Sequence, residues 1–188
     1  LRRIYNTFSY AIAQNNNHSI SEASALFICG SILNHNNIKG IKYSNKGRKN
    51  LENLVEKLIL NDGTFSQYST NYHRLMLDTL CFVEIIRRKL KLPKFSDMFY
   101  SKLNKATNWL FQFINLNTGK VSNLGGNDGS NFFLCFNKDV NNYLFSVELS
   151  AAVFLNSNVN YKLTNKIYFE ILNIKKCDNL VKQNELNL

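Results

Sequence analysis

Three short stretches of this chain crowd together side chains that donate, accept or carry protons. In one of them, DGTFSQYSTNYHRL at residues 62–75, Tyr72, His73 and Arg74 follow one another directly. That succession places a phenolic proton donor, a titratable imidazole and a fixed cation at one point, with the amides of Gln67 and Asn71 nearby. An earlier stretch, NNNHSISEA at residues 15–23, sets Asn17 beside His18. An amide and an imidazole at a helix start suit an anion, because free backbone N–H groups and the helix dipole point to the same place. The same residues can also simply begin a helix, with Asn17 or Ser19 as cap and Glu22 closing a Ser-x-x-Glu box. The equivalent reading of residues 62–75 is a helix start capped by Thr70 or Asn71, with Tyr72 on the surface, and it leaves the density of polar groups unexplained. A third stretch, GGNDGS at residues 125–130, holds Asn127 and Asp128 between glycines. Oxygen ligands on a loop suit calcium, but the longer oxygen series of an EF-hand is missing, and a connecting loop is the simpler reading.

The elements that must position these stretches are helical. With one proline, Pro93, and eight glycines, the chain lacks the frequent turn punctuation of an all-β fold. Ile4, Phe8, Ala11 and Ile12 recur at helical spacing within residues 1–15, and Ile20, Ala23, Phe27 and Leu33 do so in the next helix. Leu51, Leu54, Val55, Leu58 and Ile59 mark a third helix, which stops before the turn signal of Asn61, Asp62 and Gly63. A long helix is predicted over about residues 71–90, ending near Pro93. Ser96 and Asp97 can cap its successor, whose apolar positions include Phe99, Leu103, Trp109, Leu110 and Phe113. A polar loop over residues 115–131 precedes two weaker helices, at about 140–156 and 160–174, and a polar tail at 175–188. This alternation predicts an all-α fold of antiparallel helical hairpins over residues 1–174.

The formal charge of +10 points to an acidic partner, since a basic surface speeds the capture of polyanions. The chain is also rich in Asn, Lys and Ile, so that part of the lysine excess reflects composition alone. Its basic residues are scattered, with Arg87, Arg88 and Lys89 the nearest approach to a run, and no basic helix face or recognition motif marks a nucleic-acid binder. Cys29, Cys81, Cys135 and Cys177 lie far apart with no CxxC or Cys/His spacing, which predicts buried free thiols unless two happen to meet, and no metal or other cofactor. No apolar run approaches the roughly 18 to 20 residues needed to span a bilayer. The chain opens on Leu1 and reads at once as a helix, as expected of a start internal to a longer gene product, so that any export signal would lie upstream.

Taken in order and at these separations, NNHSISEA, DGTFSQYSTNYHRLMLD and GGNDGS resemble the N-terminal helical domain of heparinase II/III-type polysaccharide lyases and related alginate lyases. The resemblance runs from about Ile4 to Phe154. It implies an incomplete α/α toroid, followed in family members by a β-sandwich domain of the same polypeptide for which no strand run is legible here. It implies a lyase that cleaves an acidic, uronate-containing polysaccharide by β-elimination, with a periplasmic or secreted location. By that resemblance Asn17 and His18 bind the uronate carboxylate and Tyr72 is the general acid, in some members also the base. His73 and Arg74 match the motif and would orient Tyr72 or hold a substrate anion. Glu22, Gln67, Asn71, Asn127 and Asp128 complete the expected substrate-binding set. Family members generally draw a further histidine, and sometimes a metal, from the β-sandwich, and His35, in a polar loop, is no counterpart. A non-catalytic helical glycan-binding or polysaccharide-assembly module is the alternative, and retention of Asn17, His18, Tyr72, His73 and Arg74 together favours the enzyme.

Overall fold

The computed structural model describes residues 1–133 and 139–159, together with residues 170, 172, 174, 180 and 181. The described chain is mostly helical: α1 (Arg2–Ala13), α2 (Asn17–His35), α3 (Ile41–Leu58), α4 (Thr70–Lys89), α5 (Asp97–Phe113) and α6 (Leu144–Ser150). A single π-helical turn, Ala151–Leu155, extends α6 and stops at Asn156, whose backbone is left-handed. Two residue pairs, β1 (Asn158–Val159) and β2 (Leu180–Val181), add a minimal parallel ladder to the expected all-α fold. The helix expected at 160–174 and the tail at 175–188 fall almost wholly outside the described residues, as do Cys135 and Cys177.

The starts of α2 and α4 are capped one to three residues before the expected caps. Asn15 takes a left-handed φ of 49°, which leaves Asn16 extended, and Asn16 rather than Asn17 or Ser19 accepts from the His18 N–H. The same device recurs at α4, where Tyr68 at φ 50° turns the chain so that Ser69 caps the Tyr72 N–H, instead of Thr70 or Asn71. Ser96 caps α5 by accepting from the Phe99 N–H, as the sequence indicates. His35 closes the last turn of α2, where a cation can meet the helix dipole, and so belongs to a helix and not to the loop expected for it.

α3 begins ten residues before its clear apolar run, and the reason is non-local. A Cβ on Gly47 would sit 2.3 Å from the Phe27 nitrogen, and one on Gly30 would sit 2.4 Å from the Ser44 nitrogen. The two backbones of the α2–α3 hairpin therefore touch where only glycine fits, and the Ser31 and Ser44 hydroxyls share a hydrogen bond of 2.7 Å beside them. Polar residues such as Lys42 and Asn45 thus ride on first turns held by backbone proximity, ahead of the apolar stripe that begins at Leu51.

α4 is the centre of the molecule. Fourteen of its twenty residues are buried, and it packs on α2, α5, α6 and the π turn. α2, α4 and α6 are successive neighbours, while α3 and α5 pack against each other and against α2 and α4 respectively. Between these two rows lies one core, containing Phe27, Leu51, Leu58, Leu77, Leu80, Phe99, Leu103 and Leu110. Of the described cysteines, Cys81 is in this core, whereas Cys29 lies exposed on α2 and not among buried thiols as expected; both are free. Among the described residues, no helix is long and apolar enough to cross a membrane.

Candidate active site

Neighbouring helix starts bring the three polar stretches together. The Asn17 N–H, first in α2, donates to Gln67 Oε1 at 2.8 Å, tying the start of α2 to the segment that enters α4. Beside it the Ser66 hydroxyl donates to the Asn15 carbonyl, and Lys57 Nζ to Asn15 Oδ1 at 2.7 Å. The second junction is denser. The Thr70 N–H donates to the Leu124 carbonyl at 3.0 Å, the Thr70 hydroxyl to the Ser122 carbonyl at 3.1 Å, and the Ser69 hydroxyl to the Gly126 carbonyl. Gly125, at φ +70°, passes so close that a Cβ there would meet the Tyr68 carbonyl oxygen at 2.2 Å. The loop of residues 122–130 is thereby laid across the first turn of α4.

Docking of that loop delivers Asp128 to the α4 side chains. Tyr72 donates its hydroxyl proton to Asp128 Oδ2 at 3.0 Å, and Asn71 Nδ2 donates to Oδ1 at 3.2 Å. The Ser130 N–H also donates to Oδ1, at 2.9 Å. Hydrogen bonds from Ser130 hold the Asp128 carboxyl below the ordinary carboxylate range, with Tyr72 adding to the effect. The same carboxylate, accepting the phenolic proton, pushes Tyr72 above the ordinary phenol value. Tyr72 is half-buried, Asn17 is half-buried and His18 is exposed. Asn127 closes its own loop, donating to Asn123 Oδ1 and accepting from the Gly129 N–H.

His73 and Arg74 are enclosed. Burial pushes His73 down to about 4, so that it is neutral; its Nε2 pairs with the Ala106 carbonyl at 2.8 Å and its ring stacks on Trp109. Since a carbonyl can only accept, the proton sits on Nε2. Arg74, 1% exposed, donates to the carbonyls of Val140 and Ser130 and to Asn71 Oδ1, and its guanidinium lies 4.1 Å over the ring of Tyr143. It joins the start of α4 to the loop and to the residue before α6. Ser69 and Tyr143 organise this end of the molecule; Ser69 stands among the hydrogen-bonding residues of its polar stretch, although the cap was expected at Thr70 or Asn71, and Tyr143 carried no signal.

The caps decide what remains free for a ligand. The Asn17 and His18 N–H groups are taken by Gln67 and Asn16, and the Tyr72 N–H by Ser69. Side chains, more than backbone donors, are therefore what these helix starts can offer an anion, with the helix dipoles behind them. Glu22, one turn into α2, keeps Oε2 buried without a partner among the described residues. No cluster of three or more His, Cys, Asp or Glu is placed to hold a metal among the described residues.

No curated protein and no solved structure matches this chain. A family model does. Described as the heparinase II/III N-terminus, it matches residues 4–129, which take in all three polar stretches to within one residue of their end. That match covers more than half of the chain, and the protein belongs to the heparinase II/III family, as an example of its N-terminal region with a relation to polysaccharide lyases.

Proposed function

We propose that this chain is the helical catalytic half of a polysaccharide lyase that cleaves uronate-containing glycans by β-elimination. In this reading α2, α4 and α6 form one wall of an incomplete α/α toroid, and the Asn17 and Tyr72 stretches open on one cleft. A β-sandwich domain of the same polypeptide completes the site. The observation that carries the proposal is the convergence of the three stretches on adjacent helix starts, through Gln67 to Asn17 and through Tyr72 to Asp128.

β-Elimination requires that the proton beside a carboxylate be made acidic, removed, and that the departing glycosidic oxygen be protonated. Asn17 and His18 supply side-chain donors to the uronate carboxylate, whose oxygens gain charge as the proton leaves, so donors aimed at them lower the barrier. Tyr72, held protonated, supplies a proton to the leaving oxygen, and the base that takes the proton beside the carboxylate comes, in this reading, from the β-sandwich domain. His73 and Arg74 act from behind. A neutral, stacked His73 and an Arg74 that donates to Asn71, Ser130 and Val140 fix the first turn of α4, and with it the bearing of Tyr72. Gln67 and Asn71 serve the same end through Asn17 and Asp128.

The test is to assay the intact parent over a panel of uronate polymers for the absorbance of a newly formed unsaturated uronate. Cleavage of one member, slowed in Asn17→Ala, is the expected result. A parent that binds glycan by calorimetry and cleaves none of the panel would instead be a non-catalytic binding module.

A further inference from the structure

We propose that Asp128 is the positioning residue for Tyr72, holding the phenol through its O–H so that the ring keeps one bearing until substrate binds; the inference rests on the reading of Tyr72 as the proton donor. A phenolic O–H is free to turn about its C–O bond, and a single fixed acceptor removes that freedom. Asp128 is such an acceptor because each of its oxygens is used. Oδ2 takes the Tyr72 proton, and Oδ1 takes the Asn71 amide and the Ser130 N–H. Asn71 is anchored in turn by Arg74, which donates to its Oδ1 at 2.8 Å. The carboxylate is thus tied at both ends to groups that do not move independently of α4.

The loop reaches this place without help from Asp128. Thr70 holds Ser122 and Leu124, Ser69 holds Gly126, and Arg74 holds the Ser130 carbonyl. A Cβ on Gly126 would lie 3.7 Å from a ring carbon of Tyr72, so the loop backbone also lines the ring. Replacing Asp128 therefore removes a contact and leaves the loop docked. The charged group that acts on Tyr72 is Asp128 itself. The neighbouring Arg74 guanidinium is turned to Val140, Ser130, Asn71 and the Tyr143 ring. Asp128 consequently keeps the proton on the phenol, the state an acid needs before it acts, and the O–H turns from Oδ2 to the leaving oxygen once substrate is in place.

The experiment is a titration of the 188-residue chain carrying tyrosine enriched in carbon-13 at Cζ, with the Tyr72 signal assigned by its loss in Tyr72→Phe. Asp128→Asn removes the charge while keeping the size and an accepting oxygen. Its expected result is a downward shift of the Tyr72 ionisation midpoint that exceeds the fitting error. Asn127→Ala, which disturbs the same loop without touching Tyr72, should leave that midpoint where it was. An unmoved midpoint in Asp128→Asn, or equal shifts in the two variants, would overturn the proposal. In the intact parent Asp128→Asn should lower kcat by about ten- to a hundredfold with KM within about twofold, the signature of lost orientation. The titration reads the Tyr72–Asp128 pairing whether or not the parent cleaves glycan, so failure of the lyase reading and failure of this inference are separable.

Discussion

The two ends of α4 both hold buried polar side chains, yet they do different work. At the C-terminal end Glu84 is 1% exposed and receives Arg87 Nε at 2.7 Å, Arg88 Nε at 2.7 Å and the Tyr100 hydroxyl at 3.0 Å. Arg87 also donates to the Leu92 carbonyl and Arg88 to the Val153 carbonyl. Every charge there is answered by another group or by the helix dipole, and the end is a lock. At the N-terminal end Arg74 and His73 are just as fully enclosed, but Tyr72, Asn17 and His18 in front of them stay partly open. What separates a site from a structural network is therefore the saturation of its partners. The comparison also accounts for the charge pattern, because Arg87 and Arg88, two members of the densest basic run in the chain, are tied to Glu84 and to backbone carbonyls.

The lock can be broken from its centre. Burial alone would raise the Glu84 carboxyl, but Arg87 and Arg88 hold it below its ordinary value. Glu84→Gln leaves Arg87 buried without its counter-charge and should cost about 3–5 kcal/mol in denaturant unfolding, the usual penalty for stranding one partner of a buried pair. Activity of the parent, assayed where the variant stays folded, should change little; a large loss would erase the distinction between the two ends.

Asp78 sits between the ends and is a buried carboxyl short of a partner. Its Oδ2 accepts from Ser146, its Oδ1 is unpartnered among the described residues, and burial pushes its carboxyl up to about 7 against the pull of Ser146 and Arg74. A carboxyl raised on folding binds its proton more tightly in the native state. Stability from this group is present below the unfolded value of 3.8 and is lost as pH rises through about 7. Asp78→Asn should abolish that decline and stabilise the fold above pH 7 by on the order of 1–3 kcal/mol, read as the difference between the two stability-against-pH curves. A variant less stable than the native chain above pH 7 would show that the Asp78 charge is needed by Arg74.

The smallest effect sharpens the other end. Ser69→Ala removes the α4 cap and one anchor of the loop, and should lower stability by about 1 kcal/mol in thermal unfolding. Because Thr70 and Arg74 keep the loop in place, the Tyr72–Asp128 contact should survive. Loss of loop protection in hydrogen exchange would mean that Ser69 carries more of the docking than its share of bonds suggests.

How much of this was legible follows from where each contact lies along the chain. The apolar periodicity of α2, α4 and α5 is local and was readable, as was Ser96. The caps of α2 and α4 were read one to three residues late, because the turning residue is a left-handed Asn15 or Tyr68, neither of which announces itself as a glycine would. The first turns of α3 were invisible, since Gly30 and Gly47 work only when the hairpin partner is in place. The three polar stretches could be listed from sequence, but their meeting depends on contacts such as Asn71 to Asp128, fifty-seven residues apart. The enclosure of His73 and Arg74 was likewise beyond reach, for it is made by Trp109 and Tyr143 on other elements.

Tyr72→Phe in the intact parent tests the central claim most directly, because it deletes one oxygen and leaves the ring to fill the same space. Turnover of a cleaved uronate polymer, followed by the absorbance of the unsaturated product, should fall by about a hundredfold to ten-thousandfold, while glycan binding measured by calorimetry stays within about twofold. Wild-type turnover in that variant would contradict the assignment of Tyr72 as the proton donor, and with it the account of why the helix starts and the Asp128 loop are assembled around it.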